Sequence, residues 1–122
     1  MINRILIVGL GSIGQRHLRL AREFLPEADI RILRHQVSNA VPDNANGCFS
    51  SIDEAIAFAP QIAVIASPAT FHIATAQALA EVRVHLLIEK PLSASLEGVT
   101  QLLETCHQQG TVLLTGYNLR FL

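Results

Sequence analysis

Residues 5–14 read Ile5-Leu6-Ile7-Val8-Gly9-Leu10-Gly11-Ser12-Ile13-Gly14. An apolar run ends in glycines spaced G-x-G-x-x-G, and an amphipathic run follows. That is strand, tight turn and helix, in the order that a dinucleotide pyrophosphate requires. Gly9 permits the turn. Gly11 lets the backbone approach the phosphates with no Cβ between them. Gly14 lets the helix pack close to the strand. The first helical N–H groups, those of Ser12, Ile13 and Gly14, then face the phosphates, and the helix dipole favours their charge. Glycine patterns of this length occur by chance, so it is the place directly behind a buried-type strand that gives this one its weight.

Strand-like and helix-like runs alternate along all 122 residues. Strands are expected over residues 4–8, 29–33, 48–50, 62–66, 84–88 and 112–115. The first helix carries Ile13, His17, Leu20, Ala21 and Phe24 on one face and stops at Pro26. Residues 36–47 are polar, with Pro42 and several asparagines, and read as a surface loop. Ser51-Ile52-Asp53-Glu54 is a capping box, opening a short helix that runs to about Ala59 before Pro60. An alanine-rich helix is expected over residues 69–80. Leu96, Val99, Leu102, Leu103 and Cys106 stripe the last helix, which Gly110 stops. Such alternation implies parallel pairing with right-handed crossovers. The expected fold is α/β: a doubly wound, mainly parallel six-stranded Rossmann sheet with helices on both faces.

Composition excludes several classes. Half of the residues are hydrophobic, 16% are charged, and the formal net charge is −1. The chain can bury a core, and it has no basic stripe for nucleic acid. No apolar run approaches the roughly 18 residues of a membrane span, and no signal peptide is visible. Cys48 and Cys106 stand outside any ligand-spaced cluster and read as buried, reduced thiols, so a cytoplasmic protein is the default. His35, His85 and His107 show no metal spacing, and no zinc site is expected. His17 reads as a packed, hydrogen-bonded residue of the inward helical face. No G-x-S-x-G elbow supports hydrolysis. A methyltransferase shares the glycine turn, but residues 5–8 lack the acidic residue often seen before it.

In a doubly wound sheet the ligand lies outside the carboxyl ends of the strands. The segments there are residues 9–14, Arg34-His35, Ala66-Ser67-Pro68, Glu89-Lys90-Pro91 and Gly116-Tyr117-Asn118. About twenty residues after the glycines an NAD enzyme offers an acid to the ribose 2′-hydroxyl. Here that place falls near Arg34, which suits a 2′-phosphate better. The reading therefore favours NADP over NAD. By location, His72, just behind the Ser67-Pro68 turn, is a further candidate for the cofactor site.

With the Glu89-Lys90-Pro91 tripeptide, the chain resembles the glucose-fructose oxidoreductase / inositol dehydrogenase (Gfo/Idh/MocA) family. Four segments carry the likeness: residues 5–14, Ala66-Ser67-Pro68-Ala69-Thr70-Phe71-His72, Glu89-Lys90-Pro91, and Gly116-Tyr117-Asn118-Leu119-Arg120-Phe121. The resemblance implies an NAD(P)-dependent oxidoreductase moving hydride between a sugar or polyol and nicotinamide. It makes Lys90 the catalytic residue, hydrogen-bonded to the reacting hydroxyl and assisting proton transfer, as a lysine of lowered pKa can. It sets Glu89 to fix that loop near the nicotinamide ribose, implies a cis peptide before Pro91, and places Asn118 at the cofactor with Tyr117 and Arg120 near the substrate. Two departures follow. Val82-Arg83 stands where the family usually has an Ala-Gly-like pair, so an Arg83 ending the helix in a left-handed conformation would be strained. The family's C-terminal α/β substrate domain is expected to be absent, leaving residues 1–122 as the NAD(P)-binding domain, inactive by itself and prone to self-association through an exposed interdomain face. The alternative reading is a non-enzymatic dinucleotide-binding module or redox sensor.

Overall fold

Strand β1 (Arg4–Val8) owes its place to its composition, since only a strand covered on both faces carries such an unbroken apolar run. Its side chains alternate between two cores. Leu6 and Val8 face one, Ile5 and Ile7 the other. The computed structural model describes residues 2–34, 40–66, 69–89 and 98–116, with the backbone alone described at residues 69–72, 115 and 116. Around β1 lie α1 (Ser12–Phe24), β2 (Asp29–Leu33), β3 (Gly47–Phe49), α2 (Ile52–Phe58), β4 (Ile62–Ile65), α3 (Ala69–Ala80), β5 (His85–Glu89), α4 (Val99–Gln109) and β6 (Leu113–Gly116). The strands form one six-stranded sheet in the order β3-β2-β1-β4-β5-β6, every pair parallel. This is the expected doubly wound α/β sheet, with its order reversing between β1 and β4. β3, β5 and β6 each sit one residue from their expected positions.

Helix α1 covers one face of the sheet, where Leu18 and Ala21 meet Ile5, Ile7, Ile30 and Ile32. Helices α2, α3 and α4 cover the other, around Leu6, Val8, Ala76, Leu79, Ile88 and Leu102. The facing of α1 corrects the sequence reading. Ile13, Leu20 and Phe24 are 48%, 39% and 76% exposed, whereas Gly14 and Leu18 are buried. Apolar periodicity chose a stripe one step around the helix from the true one. Contact between Gly14 and the Gly9 carbonyl decides the rotation, and it turns residues 14, 18 and 21 inward. In α4, likewise, Leu102 and Cys106 are buried while Leu103 is exposed. Leu96 lies outside the described residues. Cys106 is buried as expected; Cys48 is only partly so, and both are free thiols.

The capping box at Ser51 is present in full. The Ser51 hydroxyl accepts from the Glu54 N–H at 3.2 Å, and the Glu54 carboxylate accepts from the Ser51 N–H at 3.2 Å. Hydrogen bonds from the Ser50 N–H and the Ser51 side chain hold the Glu54 pKa below the usual carboxylate value. Helices α3 and α4 end in the same motif. Val84 N–H donates to Leu79 C=O and Arg83 N–H to Ala80 C=O, as Thr111 N–H does to Cys106 C=O and Gly110 N–H to His107 C=O. The pivot of the second is Gly110, at φ 69°, but that of the first is Arg83, at φ 65°. The strain expected of Arg83 is therefore present.

Candidate functional site

The glycine turn sits at the centre of the sheet's carboxyl edge. Gly9 adopts φ 90°, a conformation that side chains resist, so the turn itself requires glycine there. Its N–H continues the ladder to Leu33 C=O at 2.9 Å, and Ala66 N–H does the same to Val8 C=O at 2.8 Å. Gly11 and Gly14 are glycines for opposite reasons. A Cβ at Gly14 would lie under 3.0 Å from the Gly9 carbonyl oxygen, 3.1 Å from its carbon and 3.8 Å from the Ala66 Cβ. A Cβ at Gly11 would meet nothing within 4 Å, and its backbone is ordinary extended chain at φ −72°. Nothing inside the described protein needs a glycine at 11, and the space in front of it is open.

Gly11 is the N-cap of α1, and no side chain caps that end. The N–H groups of Ser12, Ile13 and Gly14 belong to the first turn, whose donors lack intrahelical partners. No acid stands in that turn to repel an anion. This donor set, open at Gly11 and backed by a helix dipole, fits a pyrophosphate.

The other expected residues divide. Ala66 follows β4 directly beside the turn, and Arg34 follows β2. The Arg34 N–H donates to Phe49 C=O at 3.0 Å, which fixes its backbone. Its guanidinium bends over the end of β3, where Nη2 donates to Ala40 C=O at 2.6 Å and lies 3.4 Å from Cys48 Sγ. Its Nε is buried with no hydrogen-bond partner among the described residues. Glu89 ends β5 in register with Gly116 of β6. His72 lies on α3 near its start, with only its backbone described. Ser67, Pro68, Lys90, Pro91, Tyr117, Asn118 and Arg120 lie outside the described residues.

One contact was not read from the sequence. His17 Nε2 donates to Glu89 Oε1 across 72 positions of chain, each side chain about 20% exposed. The expectation of a hydrogen-bonded His17 holds, and its partner is a residue of the candidate site. The signal available was its spacing: His17 stands three residues after Gly14, so it shares the helix face that Gly14 turns toward the sheet. Elsewhere, a recess of about 430 Å³ lined by Ile2, Arg4, Ile56, Gln61, Val84 and His85 opens at the opposite edge, the amino ends of the strands. No group of three or more potential metal ligands occurs among the described residues, and no helix there is long and apolar enough to cross a membrane.

Sheet order, crossover pattern and glycine turn define an NAD-binding Rossmann domain. The family model described as "Oxidoreductase family, NAD-binding Rossmann fold" matches residues 3–117, and the chain belongs to that Gfo/Idh/MocA family. No curated protein matches it in sequence. Among solved structures it is similar to GenD2 from gentamicin A biosynthesis, in complex with NAD, at 26% identity and TM-score 0.79 over 94% of this chain and 34% of that one. It is similar in fold to scyllo-inositol dehydrogenase from Lactobacillus casei with bound NAD(H) and scyllo-inositol, at 22% identity and TM-score 0.78 over 99% of this chain and 38% of that one. The UDP-N-acetylglucosamine 3-dehydrogenase GnnA from Acidithiobacillus ferrooxidans has the same fold, at 24% identity and TM-score 0.77 over 95% of this chain and 39% of that one. The chain thus spans little more than a third of the solved chains it matches.

Proposed function

We propose that this chain is the dinucleotide-binding part of an oxidoreductase that moves hydride between a sugar- or polyol-like substrate and nicotinamide. The observation that carries the reading is the open approach to Gly11 beside an uncapped helix start. It lies at the sheet edge where Ala66 follows β4 and Glu89 ends β5. The NAD held by GenD2, and the NAD(H) and scyllo-inositol held by the Lactobacillus casei enzyme, support it.

In this reading Gly9, Gly11, Ser12, Ile13 and Gly14 hold the pyrophosphate, and Arg34 takes the adenosine ribose. Ala66, Ser67, Pro68 and His72 are assigned to the cofactor as well. Glu89 and Asn118 stand at the nicotinamide end. Bound nicotinamide supplies a two-electron hydride acceptor. Lys90 then orients the substrate hydroxyl and, as the neutral amine that a lowered pKa makes available, takes its proton to become the ammonium. Tyr117 and Arg120 are assigned to the substrate. Arg34 gives NADP preference over NAD, because a guanidinium pairs with a 2′-phosphate and cannot accept a proton from a 2′-hydroxyl.

Fluorescence titration of the chain with NADH and NADPH tests both parts. Binding of either supports the site, and tighter binding of NADPH supports the role of Arg34. Equal or tighter binding of NADH removes the preference. Failure of both to bind at millimolar concentration overturns the reading.

A further inference from the structure

The pair formed by His17 and Glu89 joins two parts of the sheet edge that are not neighbours. β4 lies between β1, which feeds α1, and β5, which ends at Glu89. Adjacent strands are about 4.8 Å apart, so β1 and β5 are separated by roughly 10 Å, and α1 packs over both β1 and β4 to narrow that gap. Helical side chains lean toward the helix N-terminus. The imidazole, on the second turn of α1, is therefore carried toward the carboxyl edge. Ala66 is the small residue that follows β4 there.

The contact also defines the chemistry of His17. A carboxylate only accepts, so Nε2 carries the hydrogen. Whatever its charge, this imidazole is a donor to Glu89. A carboxylate that is mostly buried at the end of an apolar strand costs stability unless it is paired. A pair of aliphatic side chains would serve the packing as well or better, since partly buried ion pairs contribute little net stability. The fold alone gives no reason for a histidine and a glutamate here.

We infer that His17 is a positioning residue: by holding the Glu89 carboxylate, it locks the end of β5 to the phosphate-binding helix and so sets the nicotinamide half of the site relative to the pyrophosphate. The inference rests on the dinucleotide reading above and deepens it. Glu89 directly precedes Lys90, the residue assigned to the reacting hydroxyl. His17 itself touches neither cofactor nor substrate in this role.

The test compares NADH with ADP-ribose, which keeps the adenosine and both phosphates but lacks nicotinamide. Affinities of the chain for each are measured for wild type, His17→Leu, His17→Gln and Glu89→Leu. Loss of a hydrogen bond to a charged group predicts that His17→Leu weakens NADH about tenfold and leaves ADP-ribose within about twofold. His17→Gln, which keeps an N–H donor, is expected to recover most of the NADH affinity. Glu89→Leu is expected to show the same selective loss, so the inference stays testable if one variant fails to fold. Equal weakening of both ligands, no weakening of either, or failure of Gln to restore NADH binding would overturn the positioning role and leave the dinucleotide reading standing. A wild-type chain that binds neither ligand would overturn that reading and the inference with it. Nitrogen-detected NMR of the imidazole supplies an independent readout: a hydrogen on Nε2 is expected, and a neutral ring protonated at Nδ1 alone would refute the contact.

Discussion

Adding one methyl group at Gly11, and the same group at Gly14, should produce opposite failures. At Gly14 the new Cβ meets the Gly9 carbonyl oxygen well inside van der Waals contact, and what must yield is the backbone of the turn. Overpacking costs about 1–3 kcal/mol, and the rigid neighbour argues for the upper end. Alanine in place of glycine in the first turn of a helix returns at most the roughly 1 kcal/mol of a helix interior, leaving a net loss of at least about 2 kcal/mol. At roughly 4 °C per kcal/mol for a domain of this size, Gly14→Ala should melt about 8 °C below wild type. At Gly11 the Cβ enters open space, and the extended backbone accepts it. Only the poorer N-cap opposes it, at less than about 1 kcal/mol. Its cost appears in binding, where pushing a phosphate off one charge-assisted N–H contact is worth about 1.5–3 kcal/mol, or roughly 10–150-fold in Kd. Thermal melts and NADH titrations on both variants separate the two effects. A Gly11→Ala variant that binds NADH like wild type would refute the argument. So would a Gly14→Ala variant that melts with it.

Arg83→Gly should stabilise the protein by about 1 kcal/mol, by relieving a left-handed residue at the end of α3. The hydrogen bond it loses, from Arg83 Nε to Gln109 Oε1 at 3.0 Å, is exposed and worth less; an unchanged or lower urea midpoint would count against this. Glu54 has a depressed pKa in the folded state, so its contribution is present above its unfolded pKa and fades as pH falls through the folded one. Wild type should therefore exceed Glu54→Gln in stability near neutral pH and converge with it in acid, and a constant difference across the melts would contradict the assignment. In a polypeptide carrying both cofactor and substrate parts, Lys90→Ala should abolish turnover while leaving NAD(P)H affinity nearly intact. Undiminished turnover would remove Lys90 from the mechanism.

Local features of this chain are written in short stretches, and those were legible. The unbroken apolar run 5–8 means a strand buried on both faces. The spacing of Gly9, Gly11 and Gly14 means a turn into a helix, and Ser51 with Glu54 means a capped start. Alternation of such elements then leaves few topologies, and the sheet order β3-β2-β1-β4-β5-β6 is the one these rules favour. The strained Arg83 was visible through the family resemblance, which puts a glycine-like residue where this chain has Arg83. Rotation of α1 was not legible, because apolar periodicity fits more than one stripe. A backbone contact between Gly14 and Gly9 chose among them and left Phe24 in solvent. Nor was the partner of His17 legible. It lies 72 residues away, and the two meet only because β4 and β5 are added to the sheet on the same side of β1. Chain order determined which groups reach the carboxyl edge. Only the packing of helix on sheet decided which of them touch, because side-chain contact depends on distances that sequence separation does not record.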